Sequence, residues 1–347
     1  MMKTLAQKMD ELESWNVLAK PEDLGITPVF CSPSMLVPKE TKGEYRLVTD
    51  FSNINNHIKK IPSLLPTIEE TKIKIAKYNY VVCIDLSNFY FQHAVPFDDI
   101  KYLATPHPFK GMRVYQVQPQ GIKNASENCG ERLSRIFGDL CQEDNMCIHA
   151  DGLYVGGDNL EEVFVNLTEV FTRLRNSGMT IKPSKLVICP RSVTLFGWKL
   201  TDGGWSPLPH KVSPLKDTPL PKTVKMLRSF LGSYKQLSSC IAEYAVTLSP
   251  LEKIVGGKSS AENINWTEEL TSTFNKAKES LKHLDSVHIP KPTDQIITYS
   301  DFSQSNSAVG GRMEIKRTLP DGKIKFFHGG FFSAKIPPTK SRWICCE

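Results

Sequence analysis

Two aspartates each lie at the end of an apolar run that has the pattern of a β-strand. Asp85 is near the end of YNYVVCIDL (78–86), and Asp151 lies in a tight A-D-G turn within MCIHADGLYVGG (146–157). Adjacent strand ends of a mixed sheet can bring two such carboxylates together. Two Mg²⁺ ions held roughly 3.5–4 Å apart by carboxylates support phosphoryl transfer. Ordinary strand-end and turn aspartates fit the same two positions, so both interpretations stay open at this point.

Several other elements are predicted around these aspartates. Apolar patterning and turn residues predict a hairpin over 31–51, strands at 101–105 and 112–118, a helix from about Ala125 to Leu140, and strand-like stretches at 185–189 and 193–200. They also predict a core-facing helix over 160–176, whose apolar face holds Leu160, Phe164, Leu167, Val170, Phe171 and Leu174. Pro and Gly then mark a boundary. Beyond it, the pattern predicts helices over 223–284 with a break near 255–260, and strands at 296–301, 307–315 and 323–332.

Composition limits the classes of protein. The 347 residues carry 43 basic and 37 acidic side chains, a net charge of +6, which favours a polyanionic partner only weakly. Nine scattered cysteines form no CxxC pair or zinc-ligand array, which indicates a reduced, intracellular setting. The N-terminus lacks the apolar block of a signal peptide, and no run is long enough to cross a bilayer, so no membrane partner is predicted.

A series of motifs follows in a recognisable order. They are LVPKETKGEYRLVTDFSNIN (36–55), VCIDLSNFYFQ (82–92), QPQGIKNAS (118–126), which resembles LPQGxxNSP, HADG (149–152), SGMTIKPSKLVIC (177–189), LFGW (195–198), TYSDFSQSNSAVGG (298–311) and RWICCE (342–347). In this order and spacing the chain resembles the reverse transcriptase and RNase H portion of a retroelement Pol polyprotein, most like those of gypsy-like long-terminal-repeat retrotransposons. The resemblance extends from about Glu11 to Glu347.

The resemblance implies roles for the first half of the chain. Lys39 and Arg46 would contact the triphosphate of the incoming nucleotide, as suits a lysine point charge and an arginine fork. Asp85 would bind both metal ions, with the backbone carbonyl of Leu86 completing one shell. Tyr90 would be the steric gate that excludes a ribose 2′-hydroxyl.

Further roles follow from the later motifs. Gln120 and Gly121 would pack under the nucleotide and template, where glycine permits close backbone approach. Lys185 would protonate the departing pyrophosphate. Phe196, Gly197 and Trp198 would form the primer grip. Taken singly, the cations Lys39, Arg46 and Lys185 also fit a solvated surface.

The motif HADG departs from the family pattern, which is aromatic-x-Asp-Asp. Asp151 keeps the first carboxylate, but Gly152 replaces the second and His149 replaces the aromatic residue. A glycine offers no substitute oxygen for a metal, so turnover is expected to be impaired and Gly152→Asp to restore most of it. We interpret His149 as a packed strand histidine, since Mg²⁺ prefers oxygen ligands.

The C-terminal segment resembles the start of an RNase H domain. Asp301 takes the position of its first metal-binding aspartate, and Glu347 that of its catalytic glutamate. The two later aspartates of that site are missing, so we expect a remnant without RNase H activity. Three strands without covering helices are also expected to leave apolar surface exposed.

These observations predict an α+β fold of the right-hand polymerase type, with fingers, palm and thumb/connection, followed by a partial RNase H-like α/β segment. The predicted domains are 1–205 (fingers and palm), 206–290 (helical thumb/connection) and 291–347 (RNase H-like). The expected metal ligands are Asp85, Leu86 and Asp151.

The resemblance implies an RNA-directed and DNA-directed DNA polymerase that uses Mg²⁺, with Mn²⁺ as an alternative. Its expected partners are a primed RNA or DNA template, deoxynucleoside triphosphates and the rest of a Pol polyprotein. The cytoplasm or a virus-like particle is the expected location, with the nucleus as an alternative. A non-catalytic nucleic-acid-binding relic, or a domesticated fragment, is the alternative function.

Overall fold

The computed structural model of the chain describes residues 1–38, 43–63, 66–303, 308–319 and 321–335. It divides into two units, Met1–Pro190 and Arg191–Glu347. The functional divisions predicted after residues 205 and 290 stay predictions. Among the described residues, no helix combines the length and the apolar character that crossing a bilayer requires.

The first unit mixes short strands with six helices in its described part. Its strands are β1 (Leu18–Ala19), β2 (Ser34–Pro38), β3 (Tyr45–Thr49), β4 (Tyr80–Asp85), β5 (Ala104–His107), β6 (Gly111–Tyr115), β7 (Met146–His149), β8 (Gly152–Gly157) and β9 (Val187–Ile188). Its helices are α1 (Met2–Ser14), α2 (Ser52–Asn55), α3 (Ile68–Lys77), α4 (Phe97–Ile100), α5 (Ala125–Gln142) and α6 (Leu160–Asn176). Short 3₁₀ turns cover Glu22–Leu24, Phe89–Gln92 and Pro183–Lys185.

Four strands form a central sheet in the order β7-β8-β4-β9. Strands β4 and β8 run antiparallel, in register from Tyr80 opposite Gly157 to Asp85 opposite Gly152. Side chains on one face of this sheet are buried with side chains of α5 and α6, including Ile84, Leu133, Phe137, Ile148, Leu153 and Val170. Burial of this apolar face is the main force that fixes the register, because a one-residue slip would turn it to solvent.

Helix α6 buries most of the face predicted for it, but not its first turn. Val163, Val170 and Leu174 are buried, and Leu167 and Phe171 pack against the same core. Leu160 is 59% and Phe164 70% exposed, so the prediction that these two residues belong to the core is wrong. The amide of Asn166 donates a hydrogen bond to the Gly156 carbonyl (2.9 Å), which ties the buried face to β8.

The hairpin predicted over 31–51 is confirmed as β2 and β3, paired with Leu36 opposite Leu47. Its tip, including Lys39, lies outside the described residues. Strands β1, β6 and β5 form a second sheet in that order.

Helix α1 is tied to the β5–β6 hairpin by ion pairs. Arg113 is 2% exposed, and its Nε donates to the Glu13 carboxylate at 2.9 Å. The same guanidinium donates to the backbone carbonyls of Lys110 and Met112. The Asp10 carboxylate pairs with Lys110 and lies 3.2 Å from His107 Nε2. The buried guanidinium of Arg113 is therefore held both by α1 and by the backbone of the hairpin.

The second unit contains four helices and two antiparallel sheets in its described part. Its strands are β10 (Val193–Leu195), β11 (Trp198–Thr201), β12 (Gly204–Pro207), β13 (Val287–His288), β14 (Gln295–Ser303), β15 (Ala308–Thr318) and β16 (Ile324–Lys335). Its helices are α7 (Pro209–Lys216), α8 (Val224–Lys235), α9 (Tyr244–Val255) and α10 (Glu268–Ser280), with a 3₁₀ turn at Ser238–Cys240. The predicted helices, their break and the last three strands are confirmed.

The single strand-like stretch predicted at 193–200 is wrong, because it is a hairpin made of β10 and β11. Phe196 and Gly197 have φ angles of 49° and 75°, which turn the chain between the two strands.

The sheet β14-β15-β16 leaves large apolar side chains exposed, as predicted. They include Ile296, Phe302, Ile324, Phe326 and Phe332. Ala308 and Ile315 of the central strand are buried.

Candidate active site

The backbone of the central sheet places Asp85 and Asp151 together. Asp85 is the last residue of β4 and lies opposite Gly152, the first residue of β8. The N–H of Leu86 donates to the carbonyl of Asp151 at 2.9 Å. The two aspartates therefore lie at neighbouring strand ends, as the sequence predicts.

One cross-strand row carries the side chains that surround this position. His149, Gly152 and Asp85 are directly paired across β7, β8 and β4, so their side chains point to the same face. The next row on that face holds Cys147, Tyr154 and Cys83. The opposite face is the apolar core, so this face is the one available for chemistry.

Lys185 forms an ion pair with one of these two carboxylates. Its Nζ lies 3.0 Å from Asp85 Oδ2, and the two side chains are 54% and 25% exposed. The backbone holds the loop in place, because the N–H of Lys182 donates to the carbonyl of Asp85 at 2.8 Å. Lys185 therefore neutralises one of the two carboxylates.

The oxygen ligands that these residues offer suit a hard divalent cation that takes its remaining ligands from water and substrate. Asp85 and Asp151 offer carboxylate oxygens. Leu86, which is 2% exposed, can offer only its backbone carbonyl as a ligand. No group of three His, Cys, Asp or Glu side chains in the described residues is placed to hold a metal. Mg²⁺ commonly binds through one or two carboxylates with water and substrate phosphates, so these residues fit it in that way.

Tyr154 occupies the space beside Gly152. A Cβ atom at Gly152 would lie 2.9 Å from the Tyr154 hydroxyl and 3.1 and 3.2 Å from two of its ring carbons. The backbone is not the obstacle, because the left-handed residue of this turn is Ala150, with φ of 51°. A side chain at 152 therefore requires the Tyr154 ring to move.

The hydroxyl of Tyr154 stays protonated at this place. Burial raises its pKa above the usual value for tyrosine, and the thiols of Cys83 and Cys147 and the carboxylates of Asp151 and Asp85 act in the same direction. Sequence reasoning missed this residue. The available signal was strand alternation, which puts residues 152 and 154 on one face.

His149 is held by its neighbours, in agreement with its interpretation as a packed histidine. Its Nδ1 lies 3.3 Å from the Thr71 hydroxyl at the start of α3. Burial lowers the pKa of His149, against smaller opposing effects from the Pro66 backbone and Asp151. The neutral imidazole thus lines the site without joining the carboxylates.

The other predicted nucleotide-binding residues of this unit lie on three other segments of the chain. Tyr90, in the turn Phe89–Gln92, places its hydroxyl 3.0 Å from that of Ser126. Gly121 has φ of 97°, a backbone angle that favours glycine, and Gln120 before it is exposed. Arg46 on β3 is exposed and forms no ion pair with another described residue.

Known proteins match this part of the chain. Residues 37–200 match the family described as reverse transcriptase (RNA-dependent DNA polymerase). The Tf2-3 and Tf2-4 transposon polyproteins of Schizosaccharomyces pombe are each 25% identical over 312 residues, which is 88% of this chain and 22% of each relative. Residues 37–200 carry a reverse transcriptase domain. The chain spans about a fifth of the length of these relatives.

Solved structures share the α+β polymerase fold of this reverse transcriptase domain. A foamy viral protease-reverse transcriptase in complex with double-stranded DNA has a TM-score of 0.80 at 20% identity, over 96% of this chain and 56% of that chain. The foamy viral protein in complex with an RNA/DNA hybrid has a TM-score of 0.73 at 20% identity, over 98% and 44% of the two chains.

The residues predicted as the primer grip of the reverse transcriptase lie in the β10–β11 hairpin. Phe196, in the turn, is 41% exposed, whereas Trp198 is 2% exposed. Lys211 Nζ lies 4.8 Å from the Trp198 ring, a cation–π contact. The turn, Phe196–Gly197, is thus the part of this motif that can reach a ligand.

Of the two acidic site residues predicted for the RNase H remnant, only Asp301 lies in the described part of the chain. Asp301 on β14 is exposed, and its carboxylate accepts the N–H of Phe302 at 2.8 Å. Glu347 lies outside the described residues. The roles given to Asp301 and Glu347 stay predictions.

Proposed function

We propose that this reverse transcriptase domain adds deoxynucleotides to a primer 3′ end, copying an RNA or a DNA template. The observation that supports it most is the placement of Asp85 and Asp151 at neighbouring strand ends, with Lys185 beside Asp85. The foamy viral structures of the same fold contain double-stranded DNA or an RNA/DNA hybrid, which supports nucleic acid as the partner. The curated relatives are polyproteins, which supports the rest of a Pol polyprotein as a further partner.

The metal ligands in this proposal are the carboxylates of Asp85 and Asp151 and the backbone carbonyl of Leu86. Bound Mg²⁺, or Mn²⁺, would increase the acidity of the primer 3′-hydroxyl and stabilise the leaving oxygen. With a metal ion bound, Asp85 would be one of its ligands, and the ammonium of Lys185, which lies 3.0 Å from Asp85 Oδ2, would be the group that gives a proton to the departing pyrophosphate.

The remaining residues position the nucleotide. Arg46, which is exposed and without an ion pair in the described part of the chain, has its guanidinium available for phosphate oxygens. Lys39, in the same hairpin motif of the sequence, supplies a second cation. Tyr90 excludes a 2′-hydroxyl, and Gln120 and Gly121 support the nucleotide and template. The turn of the primer grip, Phe196–Gly197, holds the primer end, and the buried Trp198 supports that turn.

Gly152 makes this activity slow. It removes one carboxylate from a site that must balance divalent charge, and Tyr154 fills the space that a carboxylate needs. Loss of one such group costs on the order of 3–5 kcal/mol of transition-state stabilisation, or about 10²–10⁴ in rate.

The position of Tyr154 also favours a second candidate function, nucleic-acid binding without turnover. A partly buried, protonated phenol fills the place of a third carboxylate and adds no negative charge for a second metal ion. A chain with this site keeps its binding surfaces and loses the chemistry.

Primer extension under single-turnover conditions separates the two functions. The chain is given a primed RNA template with Mg²⁺ and then with Mn²⁺, and Asp85→Ala is the control. Slow extension that Asp85→Ala abolishes supports the polymerase. Equal rates for the chain and Asp85→Ala, with duplex binding that weakens steeply as salt rises, support the binding function.

A further inference from the structure

Gln92 is the last residue of the motif VCIDLSNFYFQ, and none of the predicted roles uses it. Its side chain is half-buried, and its amide bonds to two separate segments of the chain. The first segment, 85–92, begins with the carboxylate of Asp85. The second segment, 177–185, ends with the ammonium of Lys185. Gln92 therefore connects the two parts of the chain that carry this ion pair.

The amide of Gln92 uses both its donors and its acceptor on backbone groups. Its Oε1 accepts the N–H of Thr180 at 2.8 Å, and its Nε2 donates to the carbonyl of the same residue at 2.9 Å. Nε2 also donates to the carbonyl of Ser87. The N–H of Ser87 in turn donates to the Thr180 carbonyl at 3.0 Å. Glutamine supplies two N–H donors and an oxygen acceptor at the end of one side chain, which is what this contact requires.

The stretch after Thr180 stays tied to the end of β4. The N–H of Lys182 donates to the Asp85 carbonyl at 2.8 Å, and the N–H of Lys185 donates to the Lys182 carbonyl at 2.9 Å, which closes a 3₁₀ turn. This turn carries Lys185 Nζ to 3.0 Å from Asp85 Oδ2. Because Thr180 begins this short stretch, a shift at its bonds to Gln92 would reach the ammonium.

A second side chain joins the same two segments from α5. Arg132 is partly buried, and its Nη1 donates to the Gln92 carbonyl at 2.9 Å while its Nη2 donates to the Ser177 carbonyl at 3.3 Å. A planar guanidinium that bonds to both segments resists their movement past one another. Of these two bridges, the one made by the Gln92 amide lies closer along the chain to Asp85 and Lys185.

We propose that Gln92 is a positioning residue that holds Lys185 beside Asp85, and so keeps the ammonium where the departing pyrophosphate needs a proton. The consequence for catalysis rests on the proposed polymerase function, whereas the contact itself does not. Without the amide, Thr180 loses a bond at its N–H and another at its carbonyl, and the turn that follows is held less firmly. A misplacement of about 1 Å at a reacting group can lower a rate by about 10²-fold.

Amide hydrogen exchange followed by NMR tests the contact without any turnover. In Gln92→Leu the Thr180 amide loses its partner directly, whereas the Lys182 amide keeps its own. Exchange at Lys182 should nevertheless become faster by about tenfold or more, because the turn opens more often. Gln116→Leu removes an amide that donates to the Asn16 carbonyl at 3.2 Å, and this matched control should leave the rate at Lys182 unchanged. An unchanged rate at Lys182 in Gln92→Leu overturns the proposal.

Single-turnover extension on a primed RNA template, measured over a range of deoxynucleotide concentrations, tests the consequence. Gln92→Leu should lower the maximal rate by about tenfold to 10²-fold and leave the apparent Kd for the nucleotide nearly unchanged. In a Lys185→Gln chain, adding Gln92→Leu should lower the rate little further, because both changes remove the same proton donor from its place. Additive losses, or a loss confined to nucleotide affinity, overturn the proposal.

The two measurements distinguish failure of this inference from failure of the proposed function. If no chain extends a primer faster than Asp85→Ala, the polymerase function fails, and faster exchange at Lys182 still assigns the positioning role to Gln92. Thermal unfolding of Gln92→Leu is measured alongside to check that the fold is intact. Gln92→Glu keeps the acceptor and loses both donors, and it gives the same comparison should Gln92→Leu fail to fold.

Discussion

The hydroxyl oxygen of Tyr154 lies 2.9 Å from the place that a Cβ atom would take at Gly152. Reversion to aspartate is therefore obstructed by a neighbour two residues along the same strand. We predict that Gly152→Asp alone raises the single-turnover extension rate less than tenfold, whereas Gly152→Asp with Tyr154→Val raises it by about 10²–10⁴. The measurement is extension of a primer on an RNA template.

Two further chains control this comparison. Tyr154→Val alone should give no gain, because it supplies no carboxylate. The double variant with Asp85→Ala should be inactive. Equal rates for Gly152→Asp with and without Tyr154→Val would show that the ring moves aside at little cost.

The closeness of Asp85 to Asp151 could be predicted from sequence, because strand alternation and a tight turn determine it locally. The obstruction by Tyr154 could not be predicted in this way. It depends on how far a side chain leans along β8, and Cys83 and Cys147 on the flanking strands limit that choice.

For helix α6, too, the sequence predicts only part of the structure. Its period predicts a helix, and the structure confirms one. Its sequence places apolar residues on more than one face, so the buried face is set by the central sheet and by the bond from Asn166 to Gly156. The exposed Phe164 is the result.

Lys185 competes with a metal ion for Asp85. We predict that Lys185→Gln tightens Mn²⁺ binding to the free chain by about two- to fivefold, because a partly exposed ion pair contributes about 0.2–1 kcal/mol. Electron paramagnetic resonance titration of Mn²⁺ measures it. Lys182→Gln removes the same charge three residues away, where no ion pair to Asp85 forms, and should change the affinity less. Identical changes of Mn²⁺ affinity in both variants would mean that net charge, and not the ion pair with Asp85, causes the effect.

Arg46 is predicted to act on the nucleotide more than on the duplex. In the Gly152→Asp, Tyr154→Val chain, Arg46→Ala should raise KM for the deoxynucleotide by about tenfold or more, because charge-assisted hydrogen bonds to phosphate contribute about 1.5–3 kcal/mol. Duplex affinity should change little. Steady-state kinetics and fluorescence anisotropy give the two values, and Arg135→Ala on α5 is the control. A larger effect on duplex affinity than on KM would mean that Arg46 contacts the duplex and not the incoming nucleotide.

Glu13 holds the buried Arg113 and so fixes α1 to the β5–β6 hairpin. We predict that Glu13→Gln lowers the free energy of unfolding by about 1–3 kcal/mol, since it leaves a buried guanidinium without its carboxylate. Urea unfolding measures it. Glu11→Gln removes an exposed pair with Lys8 and should cost under about 0.5 kcal/mol. Equal costs in the two variants would mean that α1 docks by its apolar face alone.

His93 makes the stability of the first unit depend on pH. Burial, and then the positive charge of Arg132, lower the pKa of His93 to about 4. Its ring packs edge-on against Phe89 at 5.1 Å, and its Nε2 has no hydrogen-bond partner among the described residues. Protonation would place a charge and an unpaired donor in the core.

The folded state therefore favours neutral His93, and the unfolded state binds more protons between about pH 6.5 and pH 4. Stability from this group is fully present above pH 6.5 and is lost as the pH falls through that window. We predict a loss of about 2 kcal/mol between pH 7 and pH 5 that His93→Phe lacks. Urea unfolding of both chains at several pH values measures it, and the difference between the chains cancels the contributions of His149 and His288, which titrate in both. Parallel stability curves would show that the protonated ring finds a partner in the folded chain.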